Sequence, residues 1–169
     1  MGQAPGRERA ELPGSCIAGD PLYLCAALRP NLMKKDNMYI GIALLYSRIS
    51  KAERLKVGCC FVTQNNVVLG GVNGLPRPLG NVCEEEGVTK KETIHAELNG
   101  ILKAAKEGIS LVGSTLYVTH SPCKSCASIL IEVGVKRVVY SEVFRETEGL
   151  LMLSLAGVDT KQIEIRNDI

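Results

Sequence analysis

Two short segments carry side chains whose types and spacing could bind a metal ion and move protons. One is His95-Ala96-Glu97, and the other is residues 122–126, with the sequence Pro-Cys-Lys-Ser-Cys. A catalytic zinc ion takes three protein ligands of nitrogen and sulfur type and keeps a fourth position open for water. His95, Cys123 and Cys126 would supply that set of ligands.

Both segments are predicted to begin a helix that follows a loop at one edge of a sheet, so that the two helix starts converge. Cys123 and Cys126 are three residues apart and therefore lie on one face of their helix, where both reach a single ion. A helix N-terminus also lowers the pKa of a cysteine and stabilises the thiolate that binds metal. The spacing thus predicts one metal site shared by two helix starts.

Glu97 lies two residues after His95, and we expect its carboxylate beside the metal. A bound zinc ion lowers the pKa of water to about 7, which provides a hydroxide nucleophile. A carboxylate beside that water can take its proton and deliver it to a ring nitrogen and then to a departing amine. Glu97 is therefore the candidate catalytic residue.

Each segment taken alone has an ordinary interpretation. A C-x-x-C pair is as often a structural zinc corner, a redox pair or two core residues, and H-x-E is a weaker signal still. In this order, with Pro122 before the first cysteine, the segments match the H-x-E and P-C-x-x-C signature of zinc-dependent nucleobase deaminases. A structural zinc would need a fourth ligand, for which His120 is the only other histidine, but it would leave Glu97 without a task.

Helices and strands that could position these segments follow from the apolar pattern of the chain. Tyr39, Ile42, Ala43, Tyr46 and Ile49 recur at three- and four-residue steps and predict the buried stripe of a helix that begins near residue 38. A hairpin is predicted next, and helices and strands alternate after a loop over 72–92, which requires crossovers. We therefore predict an α/β fold, a three-layer α/β/α arrangement around a five-stranded mixed sheet with two antiparallel strands at one end. The predicted hairpin strands are 57–63 and 67–71, the later helices 93–107, 123–133 and 149–156, and the later strands 116–119, 136–140 and 161–165.

Composition indicates one domain over residues 37–169. Residues 1–36 hold four of the seven prolines and show no period, so we predict a loosely ordered N-terminal extension. The formal charge of +2 gives no footprint for duplex binding, and no apolar run approaches the roughly twenty residues that span a bilayer. Seven cysteines are an odd number for a disulfide framework, so we expect reduced thiols and a cytoplasmic protein.

The sequence resembles the cytidine deaminase-like superfamily and, within it, the deoxycytidylate (dCMP) deaminase family. Five motifs occur in family order over about residues 38–165, and the asparagine after H-A-E-L is typical of the dCMP branch. The resemblance implies the cytidine deaminase-like fold, a catalytic Zn²⁺ and the roles given above for His95, Cys123, Cys126 and Glu97. The motifs are KVG at 56–58, GVNGLP at 71–76, NVCE at 81–84, HAELN at 95–99 and YVTHSPC at 117–123.

The resemblance also implies the substrate contacts. Asn73 is expected to bond the sugar and base, and the backbone near Ser121 is expected to hold the amino group as it leaves. Arg54 and Lys56 are the phosphate candidates, since a guanidinium fork and a point charge could share one dianion; a solvated surface pair is the alternative. Phe144 stands where relatives often carry a tyrosine near the substrate, and Arg145 beside it is a further phosphate candidate.

The implied reaction is hydrolytic deamination of dCMP to dUMP, which supplies precursor for dTMP synthesis. Short family members include viral enzymes that also accept dCTP, so deamination of dCTP to dUTP is a second expectation. Many family members are homohexamers that bind dCTP with Mg²⁺ as activator and dTTP as inhibitor. Residues 74–85 resemble the region that binds these effectors. A homohexamer and an allosteric site are therefore expectations here.

Two other functions stay open. The same zinc chemistry serves tRNA adenosine and single-stranded DNA cytidine deaminases, which need a cationic track and exposed aromatics. The chain has no Trp, two Phe and five Tyr, so no nucleic-acid partner is expected. The other alternative is a nucleotide-binding pseudo-enzyme, against which the presence of Glu97 argues.

Overall fold

A computed structural model describes the backbone of residues 21–164 and the side chains of residues 35–164. Contacts divide the chain into a unit that ends at Met33 and a unit that begins at Lys34. Residues 1–20 of the predicted extension lie outside the described residues. The division into an extension and a domain at residue 37 therefore stays a prediction.

Within the described residues, helices and strands alternate through most of the chain. The helices are α1 (Pro21–Arg48), α2 (Ala96–Lys106), α3 (Lys124–Val133) and α4 (Glu148–Leu155). The strands are β1 (Gly58–Val62), β2 (Val68–Val72), β3 (Glu84–Glu85), β4 (Val88–Thr89), β5 (Thr115–His120), β6 (Arg137–Glu142) and β7 (Asp159–Gln162). A short 3₁₀ helix, Arg77–Leu79, lies between β2 and β3.

The main sheet has five strands in the order β2-β1-β5-β6-β7. β1 is antiparallel to both β2 and β5, whereas β5, β6 and β7 are parallel. The parallel pairs are joined through α3 and α4, because a strand can return to the same edge only by a crossover. The predicted five-stranded mixed sheet is confirmed.

Each face of the sheet carries its own core, because successive strand residues point to opposite faces. Cys59 and Phe61 of β1 pack with Ala104 of α2 and Leu130 of α3 on one face. On the other face, Cys60 of β1 and its neighbours pack against α1 through Ile40 and Ala43. The predicted three-layer α/β/α architecture is therefore confirmed, with α1 on one face and α2, α3 and α4 on the other.

The first helix differs from its prediction at both ends. It begins at Pro21, well before residue 38, and proline is favoured in the first turn because its missing N–H would have no partner there. We had interpreted that proline as part of the extension. Ile49 was also placed wrongly in the buried stripe: α1 ends at Arg48, so the helical period no longer directs Ile49, which is 62% exposed.

The loop over 72–92 contains more structure than the sequence predicted, because β3 and β4 form a two-stranded hairpin within it. The last strand, β7, begins two residues earlier than predicted, at Asp159. The other boundaries lie within three residues of their predictions, which is normal uncertainty at helix and strand ends.

Candidate active site

The two chemical segments lie at the starts of α2 and α3, as their spacing predicted. His95 is the N-cap of α2 and Cys123 is the N-cap of α3, both with extended backbone. Glu97 and Cys126 follow within the first turns and are both 4% exposed. The helix dipoles therefore place partial positive charge beside the two sulfurs and the carboxylate.

The two helix starts bring three metal-ligand atoms together. The Nδ1 atom of His95 lies 3.5 Å from the Sγ atom of Cys123 and 3.4 Å from that of Cys126. Zinc–ligand bonds of about 2.0–2.3 Å at tetrahedral angles separate such nitrogen and sulfur atoms by about 3.6 Å. The spacing and the donor types therefore fit a zinc ion with one position left open. We call these three residues the candidate metal cluster.

In the described part of the chain, no other group of three such side chains has its ligand atoms within 4.8 Å of one another. His120, the alternative fourth ligand, does not join the cluster. Its Nδ1 atom lies 3.1 Å from the Thr119 hydroxyl, and its Nε2 atom lies 3.2 Å from the Glu142 carboxylate. The arrangement therefore has the three-ligand form of a catalytic zinc site rather than a four-ligand structural one.

The surroundings of the site shift the pKa values of Glu97 and Cys123 in opposite directions. Burial raises the pKa of Glu97 above its ordinary value, although the nearby His95 partly opposes this. The Cys126 thiol donates to Cys123, and this bond, together with one from His95, lowers the pKa of Cys123 to about 3. Donation of that same bond raises the pKa of Cys126. Glu97 is thus poised to exchange a proton beside a site that attracts metal.

Backbone packing holds both helix starts in place. Gly71 of β2 lies so close to α2 that an added Cβ would overlap the Ala96 carbonyl oxygen, and the Cys59 thiol donates to that oxygen at 3.2 Å. Gly149 of α4 lies against α3 in the same way, because a Cβ there would overlap the Pro122 carbonyl oxygen. The metal-binding backbone is therefore fixed by two glycines in neighbouring elements.

A pocket of about 240 Å³ opens beside the candidate metal cluster. Most of the residues that the sequence singled out line it, with two exceptions: Cys126 is buried behind the lining, and Lys56 is exposed and not part of it. The predicted residues in the lining are His95, Glu97, Cys123, Asn73, Arg54, Ser121, Phe144 and Arg145.

The outer part of the pocket carries two arginines. Arg54 is exposed, and its Nη1 atom lies 3.3 Å from the Thr89 hydroxyl of the β3–β4 hairpin. The Arg145 guanidinium lies 5.9 Å from the Phe144 ring centroid, within the range of a cation–π contact. Two exposed cationic groups therefore border a cavity that has a metal cluster and a carboxyl at its base.

Ser121 and Phe144 are coupled at the inner wall of the pocket. The Phe144 backbone N–H donates to the Ser121 hydroxyl at 2.8 Å, and the Ser121 N–H donates to the Glu142 carbonyl at 2.8 Å. The Ser121 N–H is thus already used, whereas its carbonyl oxygen accepts no hydrogen bond from the described residues.

Sequence reasoning missed the role of two polar residues around the pocket, Glu84 and Ser50. Glu84 lines it and accepts from the backbone N–H groups of Glu53 and Arg54, at 3.2 and 3.4 Å. Glu84 was assigned only to the effector region, and nothing in the local pattern connects it to residues thirty positions earlier. Ser50, which bonds Asn73 behind the pocket wall, carried no signal at all.

Comparison with known proteins agrees with this geometry. Residues 33–142 match the family described as the cytidine and deoxycytidylate deaminase zinc-binding region, which covers most of the chain. The chain belongs to this family of zinc-binding deaminases. The resemblance to dCMP deaminases that the motifs indicated is confirmed by relatives that carry that name.

Three relatives illustrate the likeness. The dCMP deaminase of cyanophage S-TIM5, solved with dCMP and dUMP, is 38% identical, has a TM-score of 0.74 and aligns with 77% of this chain and 97% of its own. Human deoxycytidylate deaminase is 30% identical, over 77% of this chain and 80% of its own length. ComE operon protein 2 of Bacillus subtilis is 36% identical, over 69% of this chain and 64% of its own length. The chain therefore spans less than two thirds of the length of the Bacillus relative.

Proposed function

We propose that this chain is an enzyme that hydrolyses dCMP to dUMP and ammonia with the help of one zinc ion. The observation that carries the proposal is a buried carboxyl, Glu97, beside three metal-ligand atoms at the base of a pocket bordered by arginines. Relatives named deoxycytidylate deaminase, from human and from phage T4, support the choice of dCMP.

The proposed mechanism assigns one task to each part of the site. His95, Cys123 and Cys126 would hold zinc, which supplies a hydroxide nucleophile by lowering the pKa of water. Glu97 accepts one proton from the attacking water and passes it to N3 of the cytosine ring. It then takes the proton of the hydroxyl formed at C4 and gives it to the amine, which leaves as ammonia as the C4–N bond breaks. Burial raises the pKa of Glu97 and so lowers the cost of protonating its carboxylate during these transfers.

Binding of the nucleotide is assigned to the remaining pocket residues. Arg54 and Arg145 are proposed to bind the phosphate, since guanidinium groups suit phosphate oxygens. Lys56 lies outside the lining and is retained only as a peripheral phosphate candidate. Phe144 is proposed to pack against the substrate, Asn73 to bond sugar and base, and the backbone at Ser121 to meet the departing amine.

The finer parts of the prediction extend this proposal. They comprise turnover of dCTP to dUTP, supply of precursor for dTMP synthesis, activation by dCTP with Mg²⁺, inhibition by dTTP, a homohexamer and a cytoplasmic location.

Of the helices in residues 21–164, none combines the length and apolar character needed to cross a membrane. All five cysteines among the described side chains are free, which is compatible with a reducing compartment.

A polynucleotide substrate is the second enzyme hypothesis. It would require a cationic track leading away from the pocket and aromatic side chains on which bases stack. Phe144 is the one aromatic residue in the pocket lining, so we rank free nucleotides first. The pseudo-enzyme is disfavoured because burying a carboxyl costs stability. A protein that only binds nucleotides would gain nothing from a carboxyl buried beside a metal cluster.

The deciding experiment follows ultraviolet absorbance of dCMP, dCTP, deoxycytidine and a cytosine-containing oligonucleotide with zinc-loaded protein, with and without dCTP and Mg²⁺ as activator. We expect dCMP to be turned over and the oligonucleotide to be unreactive. Reaction of the oligonucleotide alone would reject the substrate class but keep the chemistry. Absence of any reaction with zinc bound would favour the pseudo-enzyme.

A further inference from the structure

The amide side chain of Asn73 makes three hydrogen bonds to the pocket wall between α1 and β1. The Oδ1 atom of Asn73 accepts from the Ser50 hydroxyl at 2.7 Å and from the Val57 backbone N–H at 2.8 Å. Its Nδ2 atom donates to the Leu55 carbonyl at 2.8 Å. Asn73 therefore connects the end of β2 to three points of the segment over residues 50–57.

This segment has no regular structure of its own. Residues 50–57 lie between α1 and β1 without helix or strand hydrogen bonding, yet Arg54, Leu55 and Val57 all line the pocket. Side-chain bonds hold most of this backbone, since irregular segments lack a hydrogen-bonded ladder, and one backbone bond, from the Asn73 N–H to the Val57 carbonyl at 3.1 Å, adds to them. The amide of Asn73 supplies the buried part of that support, and Glu84 supplies an exposed part.

Ser50 fixes the orientation of that amide. Ser50 is 3% exposed, its hydroxyl also lies 2.9 Å from the Asn73 carbonyl oxygen, and it accepts from the Ala52 N–H at 3.2 Å. A hydroxyl has a single proton, so it donates to the two oxygens of Asn73 in alternation or as a shared bond. With Oδ1 used by Ser50 and Val57, the second Nδ2 proton is the group of Asn73 that has no partner among the described residues.

We propose that Ser50 is a positioning residue for nucleotide binding, which acts by holding Asn73 and, through it, the pocket wall that carries Arg54. The inference rests on the proposed function and assigns Asn73 a second task beside substrate contact. Ser50 does not line the pocket, so its removal changes where the wall lies and not the groups that touch the substrate.

The test compares Ser50→Ala with Ser47→Ala in the zinc-loaded full chain. Ser47 is a matched control, because it is 6% exposed in the last turn of α1, three residues before Ser50, and among the described residues its hydroxyl bonds only the Leu44 carbonyl. We expect S50A to raise the KM for dCMP about ten-fold, the effect of losing one buried hydrogen bond. The affinity for dUMP should fall by the same factor, kcat should stay within two-fold, and S47A should change neither.

The outcome separates the inference from the function on which it rests. A folded S50A with the KM and dUMP affinity of the parent would overturn it, and so would a fall in kcat at unchanged KM. If S50A does not fold, Ser50→Cys keeps the size with a weaker donor, and its KM must rise for the inference to stand. If the parent chain failed to turn over dCMP, the proposed function would fall, and dUMP affinities would still decide the role of Ser50.

Discussion

Two polar clusters lie on opposite faces of the same sheet, and they differ in how many of their hydrogen bonds are used. One is the candidate metal cluster with Glu97, on the face covered by α2 and α3. The other, which we call the Asp36 cluster, lies on the α1 face. It consists of Asp36, Tyr117, Arg137, Lys161 and Asp159.

In the Asp36 cluster, the buried carboxylate takes its hydrogen bonds from other members of the cluster. The Asp36 carboxylate is fully buried and accepts two bonds from Arg137, at 2.7 and 2.9 Å. It accepts further bonds from the Tyr117 hydroxyl at 2.9 Å and from the Lys161 ammonium at 3.1 Å. Arg137 uses its Nε atom on Asp159 at 2.9 Å. Both carboxylate oxygens are thus occupied by donors from three different strands.

The metal cluster, by contrast, consists of nitrogen and sulfur atoms that contact one another, and two of its three residues, His95 and Cys123, line a pocket. A buried polar group that is fully bonded within the protein stabilises one arrangement of the fold. A group beside a cavity whose lone pairs are not used by donors of the protein is available to a metal or a substrate. The contrast separates a structural cluster from a functional one, and each variant below tests one side of it.

Replacement of Glu97 by Gln should have the largest effect. It keeps the shape of the side chain but removes the group that carries the proton, so kcat for dCMP should fall by about 10²–10⁴-fold. Zinc content and melting temperature should stay near those of the parent. Deamination by E97Q at the parental rate would show that another group moves the proton.

Replacement of Asp36 by Asn should affect stability instead of chemistry. It removes the buried counter-charge of Arg137 and Lys161 and leaves Arg137 paired with the exposed Asp159 alone. Breaking a buried pair from one side costs about 3 kcal/mol of unfolding free energy. We use the low end of the usual range because Lys161 is 35% exposed. The measurement is urea unfolding, with kcat of the folded variant expected within two-fold of the parent.

Asp159→Asn is the matched control for this variant. Asp159 also pairs with Arg137, but its side chain is 66% exposed, so the loss should be less than about 1 kcal/mol. Equal losses for the two variants would mean that burial does not distinguish the partners of Arg137.

The same contrast explains what the sequence could reveal. His95 and Glu97 are neighbours in one segment and Cys123 and Cys126 in another, so local spacing at a helix start fixes most of their geometry. The fold was equally readable, because alternating apolar residues and intervening helices imply crossovers. Both kinds of signal are contained within short stretches of the chain.

The Asp36 cluster had no such signal. Asp36 and Arg137 are 101 positions apart, and we had assigned Asp36 to the N-terminal extension. The bonds of Asn73 likewise join residues 16 to 23 positions apart, and the period of α1 could not show that Ile49 lies beyond the helix end. Long-range polar pairing depends on register and on helix ends, which periodicity does not determine.

Replacement of Gly149 by Ala should weaken the metal cluster without touching it. The added Cβ would overlap the Pro122 carbonyl oxygen and lie 2.9 Å from the Cys123 carbonyl carbon, so the backbone that presents Cys123 must shift. Loss of such support lowers metal affinity by about 10–100-fold, and a chelator competition should show a fall in that range. Gly74→Ala is the control, since a Cβ there meets nothing within 4 Å. Parental zinc affinity in G149A would show that α4 does not position the site.

The smallest expected effect is the pH dependence of the Asp36 cluster. Burial by itself would raise the pKa of Asp36, but the bonds from Arg137, Tyr117 and Lys161 outweigh burial and hold the pKa below its usual value of 3.8. A carboxyl with a lowered pKa in the folded state contributes stability that is complete above its unfolded-state pKa and is lost as the pH falls through its folded-state pKa.

The difference in unfolding free energy between the parent and D36N should therefore be constant from pH 8 down to about pH 5 and shrink below about pH 4. Zinc loss and the titration of other carboxyls affect both proteins alike and cancel in the difference. A difference that stayed constant to pH 3 would mean that the carboxylate charge contributes nothing to the cluster, and that its hydrogen bonds alone distinguish it from the metal site.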